Sequence, residues 1–299
     1  AGLLVVGHYR WLDKIVKVVV VVLTLSTFAA TILLLPKIRW GAMSFWPAGD
    51  LFSNATSIAF MVALVGWMPS AFDISVWHSL WTLARRRETK YAPSVRESLM
   101  DFNIGYLGTA FLALCFLTLG AAVMYGSGKE FAPGAAGFAR QIVALYTENL
   151  GAWSEPLIGM AALTVMFSTT LTVVDGLPRA VSGLIARFRE AEVPDAPTAI
   201  DRRVYWSSLP ILAIGSMLIL YLGLARGDTA TFRGLVDLAT TLSFLTAPAL
   251  AWLNHRAITG AEVPAEYRPG RALYAWSWAG IAFSLLFAVW FLAQFLQRQ

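Results

Sequence analysis

Apolar stretches long enough to cross a lipid bilayer follow one another along almost all of this 299-residue chain. A transmembrane helix needs about 20 mostly apolar residues, because the hydrocarbon core is about 30 Å thick and a helix rises 1.5 Å per residue. Hydrophobic residues make up 58% of the sequence and charged residues 14%, against about 25% charged in soluble domains. The sequence therefore predicts an all-α integral membrane protein with about seven transmembrane helices.

Prolines, glycines and basic residues separate the predicted spans. Their approximate bounds are 15–35, 54–83, 99–125, 156–189, 204–225, 235–253 and 272–296. Residues 135–150 form an amphipathic segment in which Phe138, Ile142 and Leu145 share one face, and we expect it to lie at the membrane interface. The sequence predicts one transmembrane domain over residues 1–299, with an acidic, proline-containing linker at 190–201.

Lysine and arginine are distributed unequally between the two sides that these spans define. If the first span leaves the cytoplasm, basic residues on the inner side outnumber those on the outer side by more than two to one. Cytoplasmic loops of membrane proteins carry such an excess. The bias accounts for the formal net charge of +5 without nucleic acid as a partner, and it predicts that Gln299 lies outside.

The second span is interrupted in its middle by the sequence VGWMPSAFD, residues 65–73. Pro69 has no amide to donate to the carbonyl of Val65, so that carbonyl loses its partner within the helix. A freed carbonyl inside a membrane is costly, and an acid at that depth is usually functional. The Met68 thioether, the Val65 carbonyl and the Asp73 carboxylate together indicate a site for a dehydrated metal ion.

These residues also have structural interpretations. A proline in a membrane helix is most often a simple kink, although Gly66 before it and Asp73 after it favour a larger break here. Asp73 is equally well explained as the N-cap of the second half-helix, a role compatible with ion binding or proton transfer. If Met68 does bind an ion, its sulfur favours softer transition metals over magnesium or calcium.

Two further acids lie inside predicted spans. Asp175 opens the sequence DGLPR, where it is expected either to cap a restarted helix or to line an inner exit path. Asp237 lies near the outer end of the sixth span and is a candidate ligand. It precedes a small polar face whose hydroxyls are expected to bond across helices, formed by Thr240, Thr241 and Ser243.

The sequence contains no pattern typical of a disulfide framework, a metal cluster or a catalytic site. The lone Cys115 excludes a disulfide framework. His8, His78 and His255 share no spacing typical of a metal cluster, and there is no phosphate loop, paired cysteine or catalytic triad. We therefore expect no enzyme activity and no cofactor, with any metal ion being a substrate.

The broken span resembles the sixth span of the Nramp family of proton-coupled divalent metal transporters. In that family a small residue, two further residues and Met-Pro-His surround an unwound turn, and VGWMPS, residues 65–70, occupies that place here. Phe244 and Pro248 keep the spacing of the family's tenth span. The resemblance covers essentially the whole chain. It implies a partial leucine-transporter-like fold: spans five to eleven of eleven, including the second inverted repeat.

By this resemblance Met68 supplies a thioether ligand and Val65 a carbonyl ligand, while Asp237 lies near a polar position that the family uses beside the metal. Ser70 and Ser75 stand where the family has histidines, and Asp73 is an addition. The family completes its site with an Asp-Pro-Gly-Asn segment in its first span, and no such segment occurs in this sequence. The chain is therefore expected to need the missing N-terminal spans of the same protein as its partners.

The resulting hypothesis is a multi-pass transporter of a bacterial inner membrane that moves manganese or iron inward with protons. Its metal ligands would be Val65, Met68, Asp73 and Asp237, with Asp73 and Asp175 on the proton or ion path. Magnesium uptake is the alternative within transport, because the added carboxylate suits a harder ion. A non-transporting scaffold or partner subunit is the alternative of another class, although it leaves the Met-Pro break and the acids unexplained.

Overall fold

The computed structural model describes residues 9–38, 40–42, 44, 52–68, 70–123, 125, 132, 135–189, 201–226 and 231–297. Nine α-helices and four short 3-10 turns lie in this part of the chain, and no β-strand does. The α-helices are α1 (Tyr9–Leu34), α2 (Ala55–Trp67), α3 (Ile74–Thr89), α4 (Val95–Val123), α5 (Ala135–Leu150), α6 (Glu155–Arg189), α7 (Arg202–Ala225), α8 (Thr231–Thr259) and α9 (Arg271–Gln297).

Six of the described helices are long and apolar enough to cross a bilayer, which confirms the predicted all-α, multi-pass membrane protein. The second predicted span is divided into α2, with 13 residues, and α3, with 16. At 1.5 Å per residue these halves are only about 20 and 24 Å long, less than the hydrocarbon core of about 30 Å. The leucine-transporter-like arrangement of the helices stays a prediction.

One compact unit comprises residues 1–41 and 111–233. Its buried core, in which α5 packs against α1 and α6, consists of Ala30, Leu34, Leu119, Leu145, Tyr146 and Ile158. The phenol oxygen of Tyr146 lies 2.9 Å from the hydroxyl of Thr27, so two buried polar groups satisfy each other. The predicted apolar face of α5 thus packs inside this unit, while the location of α5 at a membrane interface stays a prediction.

The other compact unit comprises residues 42–110 and 234–299. Val62 of α2, Phe244 of α8 and Ala288 of α9 form its buried cluster. The rings of Phe287 and Phe291 on α9 lie edge-on to Phe244, with centroids 5.1 and 5.9 Å away, a favourable geometry for aromatic pairs. This packing holds the first half of the broken helix beside α8 and α9.

Helix α6 passes without interruption through DGLPR, where the sequence predicts a restart. The interpretation of Asp175 as the cap of a second helix is therefore wrong. Pro178 removes only the amide that would bond to the carbonyl of Val174, and a membrane helix tolerates that loss when its neighbours compensate. Asp175 and Arg179, one turn apart, form a bidentate pair across this proline, with N–O distances of 2.8 and 3.1 Å.

Helix α4 begins at Val95, slightly before the predicted start of the third span. The amide and hydroxyl of Ser94 donate to the Glu97 carboxylate at 2.7 and 2.9 Å, and the amide of Glu97 donates to the Ser94 hydroxyl at 3.2 Å. This capping box is visible in the sequence SVRE but not in its hydropathy. The phenol of Tyr91 also donates to Glu97, and that hydrogen bond raises the pKa of Tyr91.

Candidate functional site

The first half of the broken helix ends at Trp67, and Met68 follows as its C-cap. The amide of Met68 still donates to the carbonyl of Leu64, at 2.8 Å, but the φ and ψ angles of Met68, −106° and 128°, are extended. Its side chain is 43% exposed. Pro69, from which the sequence predicts a freed Val65 carbonyl, lies outside the described residues. The interhelical segment, residues 68–73, thus starts at the methionine that the sequence selects as a thioether ligand.

Asp73 ends the interhelical segment and directly precedes α3. Its carbonyl accepts from the amides of Val76 and Trp77, at 3.0 and 3.4 Å, but its side chain accepts no capping hydrogen bond. Its Oδ1 atom is buried and has no hydrogen-bond partner in the described part of the chain. The carboxylate of Asp73 therefore does not cap α3. A buried, unsatisfied carboxylate oxygen is costly, and a cation or a proton would relieve that cost.

Helix α2 approaches α8 closely just before the break. A Cβ atom at the buried Gly66 would overlap the carbonyl oxygen of Thr240 and lie 3.3 Å from the Cβ of Phe244. The indole Nε1 of Trp67 donates to the Ser243 hydroxyl at 3.0 Å. The end of α2 is therefore held against α8 by both close packing and a hydrogen bond.

The start of α3 is also hydrogen-bonded to α8. The hydroxyl of Ser75 donates to the carbonyl of Phe72 at 2.7 Å, and the Nδ2 of Asn254 donates to Ser75 at 2.9 Å. Asn254 was not selected from the sequence. A polar side chain within the apolar run LAWLNH was the available signal, but its partner lies 179 residues away and could not be read from spacing.

Asp237 is an exposed residue of α8, one turn before the Thr240 that meets Gly66. The hydroxyls of Thr240 and Thr241 donate to the carbonyl of Asp237, at 3.0 and 2.7 Å. These two hydroxyls therefore bond within their own helix, not across helices as predicted, whereas Ser243 does bond across. The assignment of Asp237 as a metal ligand stays a prediction.

Asp175 belongs to the other compact unit, where it is mostly buried. Besides Arg179, it accepts a hydrogen bond from the phenol of Tyr205 on α7, at 2.6 Å. The Arg179 guanidinium also lies over the Tyr205 ring, 5.7 Å from the centroid. A charge-assisted network thus surrounds this carboxylate, and its predicted place on an ion or proton path stays a prediction.

The described residues contain no group of three or more His, Cys, Asp or Glu side chains able to hold a metal ion. The ring of His78 lies 3.9 Å from a carboxylate oxygen of Asp101, and Nδ1 of His255 lies 2.8 Å from the Ser277 hydroxyl. Neither histidine joins Asp73 in a cluster of that kind. Within the described part of the chain, Asp73 and Met68 would supply only part of a coordination shell.

Comparison with known proteins gives one family model and one curated relative. A family model described as natural resistance-associated macrophage protein-like matches residues 1–294. An uncharacterized protein of Pasteurella multocida (strain Pm70) is 33% identical over 297 residues, which cover 98% of this chain and 64% of that protein. The chain thus spans less than two thirds of the length of this curated relative. No solved structure matches the chain significantly.

Proposed function

This chain belongs to the natural resistance-associated macrophage protein-like (Nramp) family, and on that premise we propose that it forms part of a divalent metal ion transporter. The transporter would work by secondary active uptake across a bacterial inner membrane. Six helices of spanning length and a related protein in Pasteurella multocida support that location.

The buried Oδ1 atom of Asp73 is the observation that carries this proposal. Asp73 is the last residue of the interhelical segment, which joins α2 and α3. Each of these two helices is too short to cross the membrane alone. Irregular backbone inside a membrane is tolerated where it lines a cavity or is buried in protein. Helices broken near the membrane midplane are a recurrent way for transporters to present ion ligands.

The proposed ligands combine one soft and several hard donors. Met68 would supply its sulfur, Val65 its carbonyl and Asp73 a carboxylate, with Asp237 as a further candidate on α8. Thioether ligands select softer metals, whereas magnesium prefers an all-oxygen shell. Manganese or iron is therefore the preferred substrate in this proposal.

Other spans of the protein would complete the coordination shell. This chain covers 64% of the length of its Pasteurella multocida relative. The family's Asp-Pro-Gly-Asn segment does not occur in the 299 residues of this chain. A site built by two inverted repeats binds its ion between them. We propose that the missing N-terminal spans supply the remaining ligands.

Proton coupling is proposed to use carboxylates, because serines occupy the family's histidine positions at Ser70 and Ser75. Asp73 is the first candidate, because its buried Oδ1 atom has no hydrogen-bond partner in the described part of the chain. Asp175 is the second candidate, on the inner path. The same carboxylate at Asp73 favours the alternative of magnesium uptake, because a harder ion suits an oxygen-rich site.

Uptake into vesicles that contain the full-length protein tests the proposal. Met68→Ala should lower manganese and cadmium uptake by about tenfold, equivalent to about 1.4 kcal/mol of lost binding. Magnesium should then compete better, because the remaining ligands are oxygens. The matched control is Met100→Ala, at a methionine that is 60% exposed on α4.

Two outcomes would contradict the proposal. If the Met68→Ala protein took up cadmium and manganese at unchanged rates, the assignment of the Met68 sulfur as a ligand would be wrong. Magnesium uptake by the unaltered protein, with no manganese or iron uptake, would favour the alternative substrate.

A further inference from the structure

Two hydrogen bonds attach the helix ends on either side of the interhelical segment to α8. At one end Trp67 donates to Ser243, and at the other Asn254 donates to Ser75. The two α8 residues are separated by about 16 Å, since they lie eleven positions apart on a helix that rises 1.5 Å per residue. Both halves of the broken helix are therefore bonded to one element, on either side of the segment.

The bond at the α3 end reaches the backbone of the segment itself. The Ser75 hydroxyl has a single proton, and it is used on the carbonyl of Phe72. Ser75 must then accept from Asn254, which assigns the amide nitrogen of Asn254 as the donor. A directed chain of two hydrogen bonds thus runs from Asn254 through Ser75 to the carbonyl that precedes Asp73.

Other hydroxyls nearby behave differently. Ser79, one turn further along α3, donates to the carbonyl of Val76 in its own helix. Thr246 of α8 likewise donates to carbonyls of its own helix, those of Leu242 and Ser243. Such local bonds are the usual state of hydroxyls in membrane helices. The chain from Asn254 differs because it joins two helices and ends on the interhelical segment.

We propose that Asn254 is a positioning residue for the metal site: through Ser75 it holds the Phe72 carbonyl and so orients the adjacent Asp73. This inference rests on the proposed function for its consequence in transport. It does not require Asn254 to touch the ion. It assigns a role to α8 at the exit of the interhelical segment, nearly five turns away from Asp237.

Thiol accessibility tests the positioning without any transport. Cys115 is the one cysteine of this sequence. Once it and any cysteine of the N-terminal spans are replaced by alanine, Ala71→Cys is the single reporter and lies within the interhelical segment. In membranes containing the full-length protein, Asn254→Leu should raise the maleimide labelling rate of this reporter by about two- to tenfold, as expected for the loss of one hydrogen bond. Asn254→Asp should act in the same way, because a carboxylate cannot donate to Ser75.

Thr246→Val is the matched control, since the Thr246 hydroxyl bonds only within α8 in the described structure, and it should leave the rate unchanged. Folding is checked separately with Cys115 retained and no reporter. This thiol is buried, so it should stay unlabelled in each variant that folds. Unchanged reporter labelling in folded Asn254→Leu and Asn254→Asp proteins would overturn the proposal.

Metal uptake provides the second readout. Asn254→Leu should raise the KM for manganese more than it lowers the maximal rate, because it misplaces a ligand without removing one. Ser75→Ala should have the same effect, and the double variant should be no worse than either single one. If the effects of the two substitutions on the KM added up in the double variant, Asn254 and Ser75 would not act through one chain of hydrogen bonds. If the unaltered protein moves no metal, the proposed function fails, while the labelling experiment still decides the positioning.

Discussion

At Gly66 the backbone of the broken helix comes into direct contact with α8. The glycine is buried, and any Cβ atom there would overlap the carbonyl oxygen of Thr240. Backbone atoms cannot rotate aside as the end of a flexible side chain can. Small residues at membrane helix interfaces commonly permit such close approach. The lack of a side chain at this position therefore allows α2 and α8 to pack together beside the interhelical segment.

We expect Gly66→Ala to reduce the free energy of unfolding by about 1–3 kcal/mol, the usual cost of overpacking. The measurement is the melting temperature of the purified protein in detergent. Gly105→Ala is the matched control, because a Cβ atom at Gly105 meets nothing within 4 Å. Equal melting temperatures for the two variants would contradict the close contact at Gly66.

Asp73 should show opposite effects on stability and on function. Asp73→Asn keeps the size of the side chain but removes the charge whose oxygen is buried without a partner. Metal uptake should fall by about tenfold or more, equivalent to about 1.4 kcal/mol. The melting temperature in metal-free buffer should stay equal or rise, because an unsatisfied buried charge opposes folding.

The control for this prediction is Asp101→Asn, at a carboxylate whose side chain is 85% exposed. It should alter neither property by a measurable amount. If Asp73→Asn lowered both the melting temperature and metal uptake, the carboxylate would instead be identified as a structural group.

At the scale of elements, α6 and α7 are joined by a polar network around Asp175. Tyr205 donates to the carboxylate from α7, and the Ser182 hydroxyl of α6 donates to the carbonyl of Asp201 at 2.8 Å. Asp201 also accepts from the amides of Arg203 and Val204 at the start of α7. The network therefore fixes where α7 begins and how it meets α6.

Tyr205→Phe should reduce the free energy of unfolding by about 1.5–3 kcal/mol, because it removes a hydrogen bond to a charged group. Arg179→Leu should cost more, about 3–5 kcal/mol, since it leaves a mostly buried carboxylate without its cation. Tyr221→Phe, at a tyrosine of α7 that is 66% exposed, is the control. Thermal unfolding in detergent gives the ranking, and a reversed order would contradict the network.

At the scale of the whole molecule, the order of spans predicts where the connections lie. Basic residues concentrate on one side of the predicted membrane, and cytoplasmic connections carry that excess. A reporter fused after Gln299 should therefore lie outside. Alkaline phosphatase fused there should be active and green fluorescent protein dark, with the opposite result for fusions within residues 90–93, between α3 and α4. Phosphatase activity at both points would refute the predicted orientation.

Much of the element structure could be predicted from the sequence. Hydropathy located the spans, and the interruption between Trp67 and Ile74 followed from a glycine, a proline and an acid in one apolar run. Local signals can mislead when packing opposes them. DGLPR resembles a helix boundary, yet α6 continues through it, because one missing amide is a small loss beside the pairing of Asp175 with Arg179.

The sequence by itself determined that this chain is a helical membrane protein with one broken span, since bilayer thickness and backbone hydrogen bonding leave few other solutions. Only the tertiary structure decided what surrounds the break. The bonds from Trp67 and Ser75 to α8 join residues 176 and 179 positions apart, and no local pattern specifies such pairs. The unsatisfied oxygen of Asp73 is likewise a result of packing, because burial depends on which helices lie beside it.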